Sequence, residues 1–155
     1  AALAAGDAAG AHAAVIAYLD RPGIPAVYDK PLEVCLLPAL VALRAKGADA
    51  AREFLAQVVE RRRYQQGQRP WHIAALALGR IDAPAFRAQP MQLGLAGDEE
   101  LALALAAELA GDVPGALARY RAWSALPAHE RSVSFPVLAG RLVAQRIGEL
   151  SAAPR

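Results

Sequence analysis

The chain has 155 residues, of which 55% are hydrophobic but only 6% aromatic, and its formal net charge is +2. About a quarter of the residues are alanine, the strongest intrinsic helix former and a weak strand former, so the composition favours an all-helical fold. The length fits a single domain over residues 1–155 that buries its core without disulfides or metal. So small a net charge excludes a general polyanion binder.

Cys35 is the only cysteine, so neither an intramolecular disulfide nor a thiolate zinc site can form, and its expected role is that of a small core residue. Charges and prolines interrupt every apolar run before it reaches the roughly 18 residues of a membrane helix. We therefore expect a soluble chain with no membrane insertion, and we favour the cytoplasm, although the compartment stays open. Because the chain begins without methionine, we expect a fragment of a longer protein or a processed form.

Small turns recur along the chain, each with a glycine after an apolar stretch and an aspartate close behind it. Glycine ends helices readily and aspartate caps the next one, so each turn predicts a corner between two helices. The glycines are Gly6, Gly47, Gly79 and Gly111, with spacings of 41, 32 and 32 residues. Spacings of this size are typical of two-helix repeats.

The first and last of these turns agree at further positions. After Gly6 the chain has Asp7, Ala11, Val15, Tyr18 and Pro22, and after Gly111 it has Asp112, Ala116, Tyr120, Trp123 and Pro127 at the same offsets. Chance rarely places a Gly-Asp pair, an aromatic residue and a proline together at matching distances. We therefore infer an internal repeat.

The segment 101–127 resembles a tetratricopeptide repeat, because an apolar helix is followed by the Gly111-Asp112 turn and then by Ala116, Tyr120 and Pro127. The resemblance implies that the small residue of the second helix packs on the first helix and that the aromatic ring fills the space between layers. Residues 1–22 resemble the second half of another such repeat.

The fold that this resemblance implies is a right-handed α-solenoid of stacked antiparallel helix pairs. The two middle windows depart from the family's pattern, because the small residue Ala51 comes one position early and Pro84 takes the corresponding place in the next window. An irregular helical bundle is therefore the alternative.

Capping residues and prolines predict the helix boundaries. In the first half of the chain we expect helices over 7–19, from Pro31 to Ala45 with a kink or restart at Pro38, from Asp49 to about Tyr64, and from Pro70 to Leu78. A short helix should follow before Pro90, and the next helix should be capped by Asp98 and have a core stripe of Leu101, Leu105 and Leu109. The last two helices should begin at Val113 and after a Ser134 cap, with Pro136 in the first turn of the latter. The helix after Pro70 is apolar on both faces, which predicts burial. No stretch alternates with period two, so strands are not expected.

The sequence contains no recognisable catalytic motif. His12, His72 and His129 lie on separate segments without metal-binding spacing. Glu99 and Glu100 are adjacent, and adjacent helical residues do not face each other, so surface charges that complement the helix dipole are expected instead of an acid pair. No glycine-rich phosphate loop is present. We therefore expect a protein that is not an enzyme and has no catalytic residues, metal or cofactor.

The best candidate binding surface lies between two predicted helices and combines arginines with aromatic rings, which are favoured at binding hot spots. Its residues are Arg61, Arg62, Arg63, Tyr64, Arg69, Trp71 and His72. The same residue types could bind RNA or a phosphopeptide. The affinity for a nucleic acid should fall steeply with salt concentration, and Arg61, Arg62 and Arg63 should account for that loss. Nucleic acid is the weaker interpretation. The alternative is a solvated helix end whose basic residues complement the dipole.

Three functions remain open. The first is a scaffold that binds a peptide, a helix or a partner domain in its concave face, as stacked helix pairs usually do. The expected inner-face residues Leu103, Ala104 and Ala107 are small and apolar, which favours a hydrophobic helix or another part of the same polypeptide as ligand. The second is an accessory helical domain of a larger enzyme or regulator, and oligomerisation through the N-terminal half repeat stays open. The third is a small-ligand-binding helical domain.

Overall fold

The computed structural model describes residues 35–60, 69–89, 96–131 and 136–152, together with residues 7, 9–10, 13–14 and 17. Within these ranges the regular structure is helical and includes no strand, which confirms the predicted all-α class. Of the helices in the described ranges, none combines the length and the apolar character that a membrane span requires.

Eight helices are formed by the four long described ranges. They are α1 (Leu37–Lys46), α2 (Ala48–Glu60), α3 (Arg69–Ala77), α4 (Ala83–Arg87), α5 (Ala96–Leu109), α6 (Val113–Ala125), α7 (Ala128–Arg131) and α8 (Pro136–Ala152). Residues 9–10, 13–14 and 17 are helical as well, inside the predicted helix 7–19. The predicted cap Ser134, and the predicted end of α2 at Tyr64, lie outside the described residues.

Helix α1 begins at Leu37, next to the proline at which a kink or restart is predicted. A wider, π-type turn at Cys35 and Leu36 precedes it, and Pro38 lies in its first turn. Proline has no N–H, so it is tolerated where the helix offers no intrahelical acceptor. The predicted start at Pro31 lies outside the described residues.

Three of the predicted corners have a glycine in the left-handed region. The φ angles of Gly47, Gly79 and Gly111 are +91°, +68° and +78°. At Gly79 and Gly111, the N–H groups of the glycine and of the next residue both donate to carbonyl oxygens of the last helical turn, at 2.8 to 3.0 Å. This pattern satisfies the end of a helix and needs a residue without a Cβ at the glycine position. The predicted corners at these glycines are confirmed.

Aspartate caps follow two of these glycines. The carboxylate of Asp82 accepts from the Ala85 N–H at 2.8 Å, and that of Asp112 accepts from the Gly115 N–H at 2.9 Å. Asp7 makes the same bond with the Gly10 N–H at 2.8 Å, so the two turns that match in sequence also match in their cap. Ala11, Val15, Tyr18 and Pro22 of the first turn lie outside the described residues.

Two other predicted caps are wrong. Helix α2 already begins at Ala48, so Asp49 lies in its first turn and accepts from Arg52 at 2.8 Å. Helix α5 begins at Ala96, two residues before Asp98, and the Asp98 side chain is buried inside the first turn. Its carboxylate binds the Arg69 guanidinium of α3, because a buried charge needs a partner more than a helix end needs a cap.

The long helices pack on one another in chain order, with the short helices α4 and α7 between two of the pairs: α1 on α2, α2 on α3, α3 on α5, α5 on α6, and α6 on α8. Helix α5 also contacts α2 and α7, and its predicted stripe of Leu101, Leu105 and Leu109 is buried. Helix α3 is buried on both faces, as predicted. In α6, Ala116, Tyr120 and Trp123 join the same core, and so does Cys35, whose predicted core position is confirmed.

A polar cluster ties α5, α6 and α8 together at the C-terminal end of α5. Glu108 is almost fully buried there. It accepts from the Tyr120 hydroxyl at 2.6 Å and from Arg146 Nε at 2.8 Å. Burial and the negative charge of Glu108 raise the pKa of Tyr120 well above its ordinary range, so the phenol stays protonated and remains a donor.

At its other end, α5 approaches α7 very closely. A Cβ on Gly97 would lie 2.4 Å from the carbonyl oxygen of Arg131 and 2.7 Å from that of Glu130. The Arg131 carbonyl is also held, because it accepts from Trp123 Nε1 at 3.2 Å. Only glycine therefore permits this approach of two backbones.

We expect Gly97→Ala to lower the free energy of unfolding by about 1–3 kcal/mol, because the new methyl group meets backbone that cannot move aside. The matched control is Gly148→Ala in α8, where an added Cβ meets nothing within 4 Å. Alanine is the better helix former, so this control should be stabilised by up to about 1 kcal/mol. Urea unfolding followed by circular dichroism measures both, and stabilisation of both variants would contradict the close approach.

We expect Ala116→Leu to overpack the contact that α6 makes with α5 and to cost about 1–3 kcal/mol, since Ala116 is fully buried. Ala118→Leu places the same side chain on an exposed position of α6 and should change stability by no more than about 0.5 kcal/mol. Thermal and chemical unfolding of the two variants provide the comparison. Equal stability of the two would rule out a tight α5–α6 pair.

Candidate functional site

Only part of the predicted binding surface is described. Arg61, Arg62, Arg63 and Tyr64 lie outside the described residues, so their role stays a prediction. Arg69, Trp71 and His72 begin α3, which packs on both α2 and α5. The described part of the predicted surface is therefore the first turn of α3, which contacts both neighbouring helices.

Arg69 points into the protein. Its side chain is 10% exposed and that of Asp98 is 3% exposed, with Arg69 Nε lying 2.9 Å from Asp98 Oδ2. The terminal guanidinium nitrogen Nη2 donates to the same oxygen. Burial raises the pKa of the Asp98 carboxyl, and the positive charge of Arg69 opposes that rise. The pair joins α3 to α5, and removing either partner would leave a buried charge uncompensated.

Trp71 and His72 form a ring pair beside this bond. Their ring centroids are 5.0 Å apart with an interplanar angle of 85°, and the half-buried Trp71 donates from Nε1 to the Val59 carbonyl at 3.2 Å. His72 is only 5% exposed, and among the described residues its Nδ1 has no hydrogen-bond partner. Burial lowers the pKa of His72, so its imidazole is neutral at pH 7.

A neutral imidazole is the form that binds metal ions, but a metal site needs several ligands. The described ranges contain no group of three or more histidine, cysteine, aspartate or glutamate side chains that could hold an ion. Cys35 is fully buried, and burial together with the nearby charge of Asp98 raises the pKa of its thiol. The thiol therefore stays protonated, and its position accounts for it as a packing residue.

A cleft that the sequence analysis missed opens at the opposite end of α3. Its volume is about 290 Å³. It is lined by Arg52, Ala77, Leu78, Gly79, Ala106, Leu109 and Ala110. The glycine corners end α3 and α5 here, and the small residues around them leave space that larger side chains would fill.

Arg52 supplies the charge at the rim of this cleft. Its guanidinium donates to the Leu109 carbonyl oxygen at the end of α5 and to the Asp49 carboxylate at 2.8 Å. About half of the side chain is exposed, so it remains accessible from solvent. The cleft can thus accept an apolar group on its alanine and leucine walls and offer a hydrogen-bond donor at its edge. In the sequence, the spacing of Asp49 and Arg52 indicates only a surface ion pair on a helix.

Glu99 and Glu100, expected as surface charges, bind arginines of other helices. Arg87 of α4 lies 2.6 Å from Glu99 Oε1, and Arg119 of α6 lies 3.2 Å from Glu100 Oε1. The two carboxylates therefore point to different neighbours and form no acid pair. Among the expected inner-face residues, Ala104 is buried, while Leu103 and Ala107 are partly exposed.

We expect the free energy of unfolding to decrease as the pH is lowered, because His72 becomes protonated. Because burial lowers the folded pKa below the ordinary value of 6.5, the unfolded chain takes up a proton first, and the free energy of unfolding falls as the pH drops from about 6.5 to the folded pKa. His72→Phe removes this loss, so the variant should gain on the parent between about pH 7 and pH 5.

Unfolding in urea at a series of pH values measures the difference. Asp98 titrates in both proteins, so its effect cancels in the comparison. His129→Phe is the matched control, since it makes the same replacement at an exposed histidine and shows any general effect of an added phenylalanine. Parallel profiles for His72→Phe and the parent would refute the assignment of the pH dependence to His72.

Comparison of the chain with protein-family models, curated proteins and solved structures finds no match. The likeness to the tetratricopeptide repeat therefore rests on residues of this chain, chiefly the Gly111-Asp112 corner and the buried Ala116 and Tyr120 of α6.

Proposed function

We propose that the chain is a non-catalytic interaction module, a tetratricopeptide-like stack of antiparallel helix pairs that binds a peptide or helix of another protein or of another domain of the same polypeptide. The observation that carries the proposal is the open cleft between the ends of α2, α3 and α5, whose described lining has apolar walls and the cation of Arg52 at its rim. Stacked helix pairs commonly present such surfaces to partners.

The stacked arrangement is supported by the order of packing. The long helices contact one another in chain order, α1 with α2, α2 with α3, α3 with α5, α5 with α6 and α6 with α8, as they do when pairs are laid down in succession. The corners at Gly79 and Gly111 share a left-handed glycine and the same pair of backbone hydrogen bonds, which favours a repeated way of reversing the chain. Full burial of Ala116 and Tyr120 agrees with the places that the repeat family assigns to a small and an aromatic residue.

A binding role is supported by the way the acidic side chains are used. Asp98 binds Arg69, and Glu108 binds Arg146 and Tyr120, so these groups hold helices together. The cleft is lined by alanine, leucine and glycine apart from Arg52. Apolar walls suit the side chains of an amphipathic helix, and Arg52 can donate to a carboxylate or carbonyl oxygen of that helix.

The size of the cleft favours one alternative, a small-ligand-binding helical domain. A volume of about 290 Å³ lies at the lower limit of ligand pockets and would admit one small amphiphile or one to two side chains of a peptide. We favour the peptide because partly exposed apolar residues of α5, Leu103 and Ala107, extend the surface beyond the cleft itself.

A displayed library of helix-forming peptides selected against the purified chain tests the proposal. The selected peptides should share apolar residues at i, i+4 spacing, and Ala106→Leu, which fills the cleft, should weaken their binding by about tenfold or more, equivalent to about 1.4 kcal/mol. Fluorescence anisotropy measures the affinity. Ala118→Leu is the matched control on an exposed face and should leave the affinity unchanged.

Failure to enrich any peptide, or unchanged affinity in Ala106→Leu, would contradict the proposed role. If small amphiphiles instead raise the Tm of the parent but not of Ala106→Leu, the small-ligand alternative is favoured.

A further inference from the structure

A chain of polar contacts connects the last helix to the first one described. The Nη2 atom of Arg44 in α1 lies 2.7 Å from Glu149 Oε1 in α8, and its Nη1 donates to Gln145 Oε1 at 3.2 Å. The other carboxylate oxygen of Glu149 accepts from Arg146 at 2.9 Å. Arg146 in turn binds Glu108 on α5, so the contacts run from the surface into the core.

The two ends of this series of contacts differ in the exposure of their carboxylates. The Glu108 side chain is 3% exposed and that of Arg146 is 20% exposed, whereas those of Arg44 and Glu149 are 15% and 34% exposed. The two arginines are thus similarly covered, but Glu108 is shielded from water and salt and Glu149 is accessible to both. Ion pairs that include an accessible group are the ones that ions in solution weaken.

Long side chains carry the contact between α1 and α8. Helix α8 packs on α6, and helix α1 packs on α2, but α1 and α8 are not among the helix pairs of the described ranges that pack closely. Among the described residues, Arg44, Gln145 and Glu149 supply side-chain hydrogen bonds that join the two helices. Such a contact can open without disturbing the core that holds α5 and α6.

We propose that Arg44 and Glu149 form an electrostatic latch that closes the last helix α8 onto α1, and that the latch opens when these two charges are screened or reversed. Arg146 is the hinge-side anchor, because it binds Glu149 and the buried Glu108 at the same time. When the latch opens, the end of α8 moves away from α1 while its attachment to α5 and α6 persists. The module therefore has a closed and an open form.

The weakness of a partly exposed ion pair explains why the latch responds to salt concentration. A partly exposed ion pair contributes little to stability in water, so the closed and open forms differ by a small free energy. Raising the salt concentration to about 1 M shortens the screening length to about 3 Å, which is comparable to the length of the ion pair itself. The closed form should then lose its advantage, and a partner that binds either form would shift the equilibrium.

A variant that combines Lys46→Cys in α1 with Ser151→Cys in α8 is spin-labelled at both thiols. Pulsed electron–electron double resonance then measures the distance between the two helices. Both positions are exposed, and the native Cys35 is buried, so labelling is confined to the two introduced thiols. At low salt we expect a distance distribution in which the short distance of the closed form predominates. Adding Glu149→Lys should shift the main distance by more than about 5 Å, one helical turn, or broaden it towards longer values.

Two further variants separate the latch from a general loss of structure. Glu60→Lys is the matched control, since it reverses a charge in an exposed pair with Arg80 far along the chain from α8, and it should leave the distance unchanged. Combining Arg44→Glu with Glu149→Lys restores a pair of opposite charges and should return the distance towards that of the parent. If Glu149→Lys fails to fold, a salt titration of the labelled parent gives the same readout without any substitution at the latch.

An unchanged distance in Glu149→Lys and at high salt would overturn the latch. So would an equal change in Glu60→Lys, or a double exchange that keeps the long distance of the single variant. These outcomes are independent of the peptide selection, because they concern the position of α8 and leave the cleft between α2, α3 and α5 intact.

Discussion

Burial of two carboxylates on helix α5 is the constraint around which the described helices are arranged. The helix is enclosed by α2, α3, α6 and α7, yet it has Asp98 near its start and Glu108 near its end, both almost fully buried. A buried charge costs several kcal/mol unless it is paired. Each carboxylate is matched by an arginine from a distant segment, Arg69 from α3 and Arg146 from α8. These two bonds fix how α3 and α8 sit against the central helix.

The same constraint separates two kinds of surface. The ion pair with Asp98 keeps the Arg69 side chain away from solvent. In the same turn of α3, His72 is buried beside Trp71. At the other end of α3, small residues meet at the glycine corners and leave a cleft beside Arg52. One end of this helix therefore contributes to stability, and the opposite end borders the cleft in which we propose that a partner binds. The proposed interaction module would use both, the buried ion pair as part of its frame and the cleft as its binding surface.

The exposure of the paired carboxylates increases outward from α5. The Glu108 side chain is 3% exposed, whereas that of Glu149 is 34% exposed. A helix anchored at one side and joined on the other through a partly exposed ion pair and a side-chain hydrogen bond can change its position with little effect on the core. The proposed latch and the proposed cleft would then lie in one molecule at different places, so a partner could occupy the cleft in either form of α8.

Local rules determined the helical class and the corners of this chain. Its alanine content, the left-handed glycines at 47, 79 and 111, and the caps at Asp82 and Asp112 depend on backbone geometry within a few residues, and for that reason they could be predicted. The opposite holds for Asp98, whose sequence context indicates a cap, and for Arg69, whose context indicates a surface. Only the tertiary structure brings these two together across 29 residues, and it likewise creates the cleft from three helix ends. Pairing of buried charges and the space left between helices depend on long-range packing, which no local pattern encodes.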